Sequence, residues 1–373
     1  MEPIGYNKNR AAEILEKSNI DALIATTPVN VFYTTGIPTL HVAPNPILFV
    51  LYNQYPSFSI ITNDGEVILL IWMLYDSVEA FSWVKDYERI GSPQGALKIL
   101  GDKIEELGLE NKTLGIETLM PRYQSEYLRK RFPNASFMDG DNYFLEMRLI
   151  KSEEEIKRIK RSTKIAEKAI LKCVEALKEG ITDYELLQIA RSTIVGEGAE
   201  GWDHLTMNIG NSDPEAPGVG TVVQPSKMIR FDFGAVWKGY VSDVSREAIV
   251  GEIPPKGAMV MENMIKVQEF CLENLKVGTN PKGLYEEVFK YFKQIGKGRC
   301  NIIAHSIGLE TEEIHVFGPG QSYDGLIEEN MVLDVEVWQN VRDQGLVGIE
   351  DCYRITSTGC ERLSSLDKEI FLR

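Results

Sequence analysis

At 373 residues the chain is longer than one ordinary core fills, so two domains are expected. Its 43% hydrophobic and 25% charged residues exclude a disordered chain, and the net charge of −15 argues against nucleic acid or an anionic membrane as partner, since neutralising phosphates takes a basic face. Five scattered cysteines with no Cys-x-x-Cys, and an opening Met1-Glu-Pro-Ile-Gly without a basic region followed by an apolar one, lead us to expect reduced thiols in the cytoplasm.

Residues 8–18 carry a helical pattern, and Asp21 to Thr26 reads as a short buried strand. Pro28 to Gly36 has a proline start and a glycine stop, which predicts a short helix or turn. Strands are expected at 46–52, 58–62, 66–73 and 113–117, and helices at 94–107 and 121–131. The apolar run from Val67 to Tyr75 falls far short of the roughly 20 residues a bilayer span needs. This mixture predicts a small α/β domain over residues 1–150. It contains no Gly-x-Gly-x-x-Gly or Walker loop, so no nucleotide is expected there.

A second domain is expected over 151–373. Ser152-Glu-Glu-Glu155 is a capping box, and Ile156, Ile159, Ala166, Ile170, Cys173 and Leu177 then recur at helical spacing up to a stop at Gly180. Thr182-Asp-Tyr-Glu185 opens another helix, and two more are expected at 257–275 and 281–294.

The stretch from Arg230 to Arg246 reads as a β-hairpin turning at Trp237-Lys238-Gly239, with Asp232 roughly opposite Asp243. Two facing carboxylates are either solvated at a surface or neutralised by a proton or a cation. Three later segments favour the cation. Asn301 to Gly308 carries His305 after an apolar run, Met331 to Trp338 puts Asp334 and Glu336 on one face, and Glu350 lies on a following strand. If those last strands pair around a loop near Asp343, Glu336 and Glu350 face the same side. Oxygen donors with one imidazole suit divalent ions better than a structural zinc.

Asp232-Phe-Gly, Gly239-Tyr240, Asp243-Val-Ser-Arg246, His305-Ser-Ile-Gly308, Glu336 and Ile349-Glu350-Asp351 resemble, in order and spacing, the pattern of the pita-bread metallopeptidases: prolidase, aminopeptidase P, methionine aminopeptidase and the related creatinase. Residues 28–36 and 147–170 resemble that family's N-terminal domain and its entry into the catalytic domain. The resemblance implies an α+β chain, with a small α/β N-terminal domain followed by a pita-bread catalytic domain of antiparallel sheet backed by helices. It implies two divalent metal ions, one on Asp232, the other on His305 and Glu336, with Asp243 and Glu350 bridging. The oxygen-rich set favours manganese, cobalt or iron and admits zinc. A metal-bridging hydroxide is then the nucleophile, with Glu336 as proton shuttle and His305 beside it. A homodimer is implied too, in which His41 of one chain touches substrate in the other, although His41 also reads as a plain loop residue.

The departures concern the substrate. A family histidine seven residues past the metal histidine is Glu312 here, and the family's proline place holds His315. No histidine lies between Gly210 and Gln224, where another belongs, and His204 is the nearest. Gly348 stands where prolidase-like members often carry an arginine. Glu312, His315, His204 and His41 are therefore the candidate substrate-binding residues. His204 and His315 either replace lost donors or simply pack, and Trp202 and Trp338 either line the pocket or belong to the core. The expected function is a Xaa-Pro dipeptidase or aminopeptidase P-like metallopeptidase acting on a small peptide. The alternatives are a hydrolase or lyase of a small charged metabolite on the same fold, and a catalytically silent binding protein.

Overall fold

The computed structural model describes residues 2–38, 56–72, 77–211 and 218–373. The expected strand at 46–52 and His41 lie outside the described residues. The chain divides into two compact units, Met1–Arg148 and Leu149–Arg373.

In the first unit, α1 (Lys8–Ser18), β1 (Ala22–Ala25) and α2 (Pro28–Thr35) follow the predicted pattern, and Gly36 closes α2 at φ 79°. β2 (Phe58–Thr62), β3 (Val67–Trp72), β4 (Tyr87–Ile90), β5 (Thr113–Ile116) and β6 (Ser136–Asp139) join β1 in one sheet, ordered β4-β3-β2-β1-β5-β6. Alternation turns Ala22, Ile24, Ile60 and Leu70 to one face, against Leu100 of α3 (Pro93–Glu106) and Leu128 of α4 (Arg122–Arg131). The edge strands β4 and β6 were not anticipated. Their segments, Tyr87-Glu-Arg-Ile and Ser136-Phe-Met-Asp, are short and mostly exposed, so no buried face imposes a pattern on them.

The second unit begins at the end of α5 (Asp141–Leu149). α6 (Glu153–Ala176) and α7 (Asp183–Gly196) both open with the predicted capping boxes. α6 stops at Ala176 rather than at Gly180. Gly180, at φ 86°, instead makes the turn beyond it and donates its N–H to the Val223 carbonyl. Then come β7 (Gly201–Ile209), β8 (Ile229–Trp237), β9 (Tyr240–Val241), β10 (Val244–Ile249), α8 (Pro255–Asn274) and α9 (Pro281–Ile295). β11 (Asn301–Ser306), β12 (Ile314–Phe317), β13 (Val332–Val341), β14 (Gly345–Thr356), β15 (Gly359–Arg362) and β16 (Phe371–Leu372) complete it.

The main path of this sheet runs β12-β11-β13-β14-β10-β8-β7, antiparallel throughout. It has two helix-backed halves that meet where β10 pairs β14. Phe231, Phe233 and Val244 pack with Ile165, Ala169 and Leu186 of α6 and α7. Leu333, Val335, Val347 and Ile349 pack with Met264, Val267 and Val288 of α8 and α9. The helices thus cover one face. The period-two alternation of each strand sends the intervening residues, among them Arg230, Asp232, Glu336 and Glu350, to the other. The order of two helices followed by strands occurs twice, once in each half, without a visible sequence repeat.

Candidate metal centre

The hairpin turns more tightly than its sequence suggested. Lys238 and Gly239 have φ 51° and 81°, the signature of a two-residue turn, and Trp237 pairs Tyr240. That register sets Asp232 opposite Ser245, with Val244 opposite Phe233, so Asp243 falls level with Gly234 and diagonal to Asp232. Both aspartates still share the open face. On the other side of the cavity Glu336 pairs directly with Glu350, around a turn containing Asp343 at φ 66°.

Asp232, Asp243, His305, Glu336 and Glu350 line one cavity of about 260 Å³, together with Asp203, His204, Thr206, Thr311 and Glu312. Their donor atoms fall into groups lying within 4.8 Å of one another: Asp243, His305 and Glu350; Asp232, Glu336 and Glu350; and His204, Asp232 and Asp243. Glu336 thus stands with Asp232 rather than with His305, unlike the division the resemblance implied. Arg230 is the physical cause. Its Nη2 donates to Asp232 Oδ2 at 3.1 Å and to Glu336 Oε1 at 2.5 Å, and lies 3.6 Å from Glu350 Oε2.

His305 Nδ1 lies 2.9 Å from the Thr311 carbonyl, which fixes the proton on Nδ1 and leaves Nε2 as a bare acceptor 3.5 Å from Glu350 Oε1. A lone pair aimed at carboxylates is unfavourable unless a cation lies between them. Asp243 Oδ1 and Asp232 Oδ1 are also buried without a well-formed hydrogen bond. The Asp243–His305–Glu350 group therefore fits a divalent ion. The Asp232–Glu336–Glu350 group has suitable donors, but a guanidinium already holds it.

His204 comes into the site from β7. A β-bulge between Trp202 and Leu205 re-aims the strand, so that Nε2 stands 3.2 Å from Asp243 Oδ1 and 3.6 Å from Asp232 Oδ1, while Nδ1 is 3.2 Å from Asp203. Its ring lies over Gly234, where a Cβ would come within 2.6 Å of it. Trp202 instead packs at the edge of the core, and Trp338 lies beside Glu336. Trp338 also explains the glycine at 348. The two residues pair, and a Cβ on Gly348 would stand 2.3 Å from the Cβ of Trp338. Glu312 sits at the rim, its side chain 57% exposed, 2.9 Å from His315 Nε2.

The electrostatics follow from crowding acids out of water. Burial pushes Asp243 up to about 7, with Asp232 and Glu336 adding to the shift, and pushes Glu336 up to about 6. Burial likewise lifts Glu350 well above the usual carboxylate range. Burial would raise Asp232 too, but Arg230 and His204 outweigh it and hold this carboxyl below its usual range. Behind the site, Arg246 joins the two halves. It donates to the Glu350 carbonyl at 2.8 Å and pairs with Asp351, both side chains fully buried. That ion pair anchors the backbone of β10, which Asp243 immediately precedes, and of β14, which presents Glu350.

The chain is similar to known proteins over nearly its whole length. Residues 157–357 match metallopeptidase family M24, and residues 8–150 match the creatinase/prolidase N-terminal domain. A Xaa-Pro dipeptidase of Pyrococcus horikoshii is 25% identical over 377 residues, covering 99% of this chain and 100% of the relative. The crystal structure of the prolidase from Pyrococcus horikoshii OT3 aligns with a TM-score of 0.80 at 25% identity, over 97% of this chain and 99% of that one. The X-Pro aminopeptidase from Thermotoga maritima aligns at 0.81 with 22% identity, over 98% and 100%, a likeness of fold.

Proposed function

This chain belongs to metallopeptidase family M24, and from that premise we propose that it is a hydrolase of Xaa-Pro dipeptides or of amino-terminal Xaa-Pro bonds. The observation that carries this reading is the convergence of Asp243, His305 and Glu350, with Asp232 and Glu336 beside them, on one small cavity. The family implies divalent metal ions, and the mostly oxygen donor set favours manganese, cobalt or iron. A bound ion supplies Lewis acidity toward the scissile carbonyl and makes a water acidic enough to attack near neutral pH.

The chain's own residues supply the rest. Glu336 faces the cavity with its carboxyl pushed up to about 6, well placed to take a proton from the attacking water and return it to the leaving amine. His305 is oriented by the Thr311 carbonyl. His204 presents Nε2 to the cavity and takes the place of a donor to the developing oxyanion. Glu312, at the rim, accepts the free ammonium group of the substrate, with His315 holding its carboxylate. We extend the reading to a cytoplasmic homodimer with His41 near the partner's substrate. Five free cysteines support a reducing compartment.

A dipeptide panel on manganese- or cobalt-loaded protein tests the reading. Turnover of Xaa-Pro but not of proline-free peptides is expected. If a fully loaded sample cleaves no peptide, the reading fails. The acidic rim at Glu312 then favours a hydrolase or lyase of a small cationic metabolite.

A further inference from the structure

We infer that Arg230 is a built-in cation that takes the place of one of the two metal ions, so that this chain binds a single divalent ion, on Asp243, His305 and Glu350. The inference rests on the metal-dependent reading above and concerns how many ions that reading involves.

Three observations carry it. Nη2 of Arg230 is within contact of all three carboxylates of the Asp232–Glu336–Glu350 group: 3.1 Å from Asp232, 2.5 Å from Glu336 and 3.6 Å from Glu350. An ion bound by those oxygens would sit about 2.0–2.6 Å from each, in the same small volume. Two cations do not share that volume, and a guanidinium does not shed its charge to make room.

Second, the arginine is committed to this position. Its side chain is 1% exposed, and neither Nε nor Nη1 finds a hydrogen-bond partner among the described residues. The carboxylates are its only polar anchors there. Arg230 lies two residues before Asp232 on β8, so the alternation of the strand aims both at the same cavity.

Third, among the described residues no arginine or lysine pairs with Asp243 or His305; the partner there is the His204 imidazole, 3.2 Å from Asp243 Oδ1, which can give up a proton to an arriving ion as a guanidinium cannot. Asp243, His305 and Glu350 face one another with the bare Nε2 of His305 between them. A site with one imidazole and two carboxylates leaves open coordination positions for substrate and water.

The test is a count. Full-length protein is stripped with a chelator and titrated with manganese(II) in a calorimeter, and the metal retained after desalting is measured. One ion per chain is expected for the natural protein and for Arg230→Lys, which keeps the charge. Two are expected for Arg230→Val, which empties the second group. Cobalt(II) gives an independent readout: its visible bands should saturate at one equivalent in the natural protein and at two in Arg230→Val. Two tight ions in the natural protein overturn the inference and leave the metallopeptidase reading intact. One ion in both natural protein and folded Arg230→Val also overturns it, since the arginine then excludes nothing. No bound ion in a natural protein that melts cooperatively overturns the metal-dependent reading and this inference with it. Should Arg230→Val fail to fold, the count on the natural protein and on Arg230→Lys still decides.

Discussion

The two halves of the ten-stranded sheet deliver matched parts to one cavity. Each supplies a histidine from the strand third from the β10–β14 seam, His204 on β7 and His305 on β11. Each supplies a carboxylate from its next strand, Asp232 and Glu336, and another on or just before the strand at the seam, Glu350 and Asp243. Two residues before Asp232 and Glu336 the match breaks. The first half carries Arg230 there and the second Asp334, which burial pushes well above the usual carboxylate range and whose oxygens find no N–H or O–H donor among the described residues. One scaffold therefore carries a permanent positive charge at this place on one side and a buried carboxyl on the other. Arg230 reaches across from the first half to Glu336 and Glu350 of the second, and the Asp243–His305–Glu350 group, drawn from both halves, is the one left for an ion from solution.

The largest way to break that comparison is to remove the two histidines in turn. His305→Ala takes away the only imidazole of the Asp243–His305–Glu350 group and is expected to abolish tight metal binding, and with it activity. His204→Ala is expected to keep the ion while lowering kcat by roughly 100- to 1,000-fold, the cost of losing one donor to a developing oxyanion. Metal retention measured beside steady-state kinetics separates the two. Equal loss of metal in both variants would mean the halves are interchangeable, contrary to the charge asymmetry at Arg230 and Asp334.

Much of this was legible in the sequence, for a physical reason. β8, β13 and β14 are half-buried strands with helices on one face, so a strict two-residue period marks which side chains reach the cavity. That period exposed Asp232, Glu336 and Glu350. Arg230, two residues from Asp232, shares that period and was given no role from sequence alone, because a basic residue beside an acidic cluster is easily taken for surface charge. His204 was harder to place, because the bulge between Trp202 and Leu205 breaks the alternation along β7. The polar edge strands β4 and β6 left no pattern at all. The diagonal placement of Asp232 and Asp243 depended on a single turn residue, since a two-residue turn and a three-residue turn shift every partner across the ladder.

Titration sharpens the comparison at a more moderate scale. Without an ion, Asp243 is pushed up to about 7, Glu336 up to about 6 and Glu350 higher than usual, so the folded chain holds protons that an unfolded chain has largely released by about pH 5. Native-state proton excess means stability falls with rising pH. The contribution of these groups is full in acid and is lost as pH climbs through about 6 to 7. Asp232, held low by Arg230 and His204 against its burial, has the opposite sign and loses its contribution only in strong acid. Chelator-treated protein is expected to melt at a lower temperature near pH 8 than near pH 6. Added manganese is expected to raise Tm more near pH 8, where it no longer competes with protons. An equal rise at both pH values would show that the ion binds away from these carboxylates.

The smallest effect concerns how each half starts its helices. In the first half, Ser152 and Thr182 accept the backbone N–H of Glu155 and Glu185, and those glutamates bond back to the cap backbone. In the second half α8 starts at Pro254 with no side-chain cap, although Asn280 caps α9. Thr182→Ala is expected to cost about 1 kcal/mol, because it leaves orphan N–H groups at the start of α7. Pro254→Ser adds an acceptor to α8 worth a similar amount, but it also frees the unfolded chain, which costs about 0.4–1 kcal/mol. The two contributions nearly offset, so this variant should change the urea midpoint little. A clear stabilisation by Pro254→Ser would show that the missing cap, and not the rigid proline, governs the start of α8. A Thr182→Ala variant as stable as the natural protein would show that packing alone holds α7.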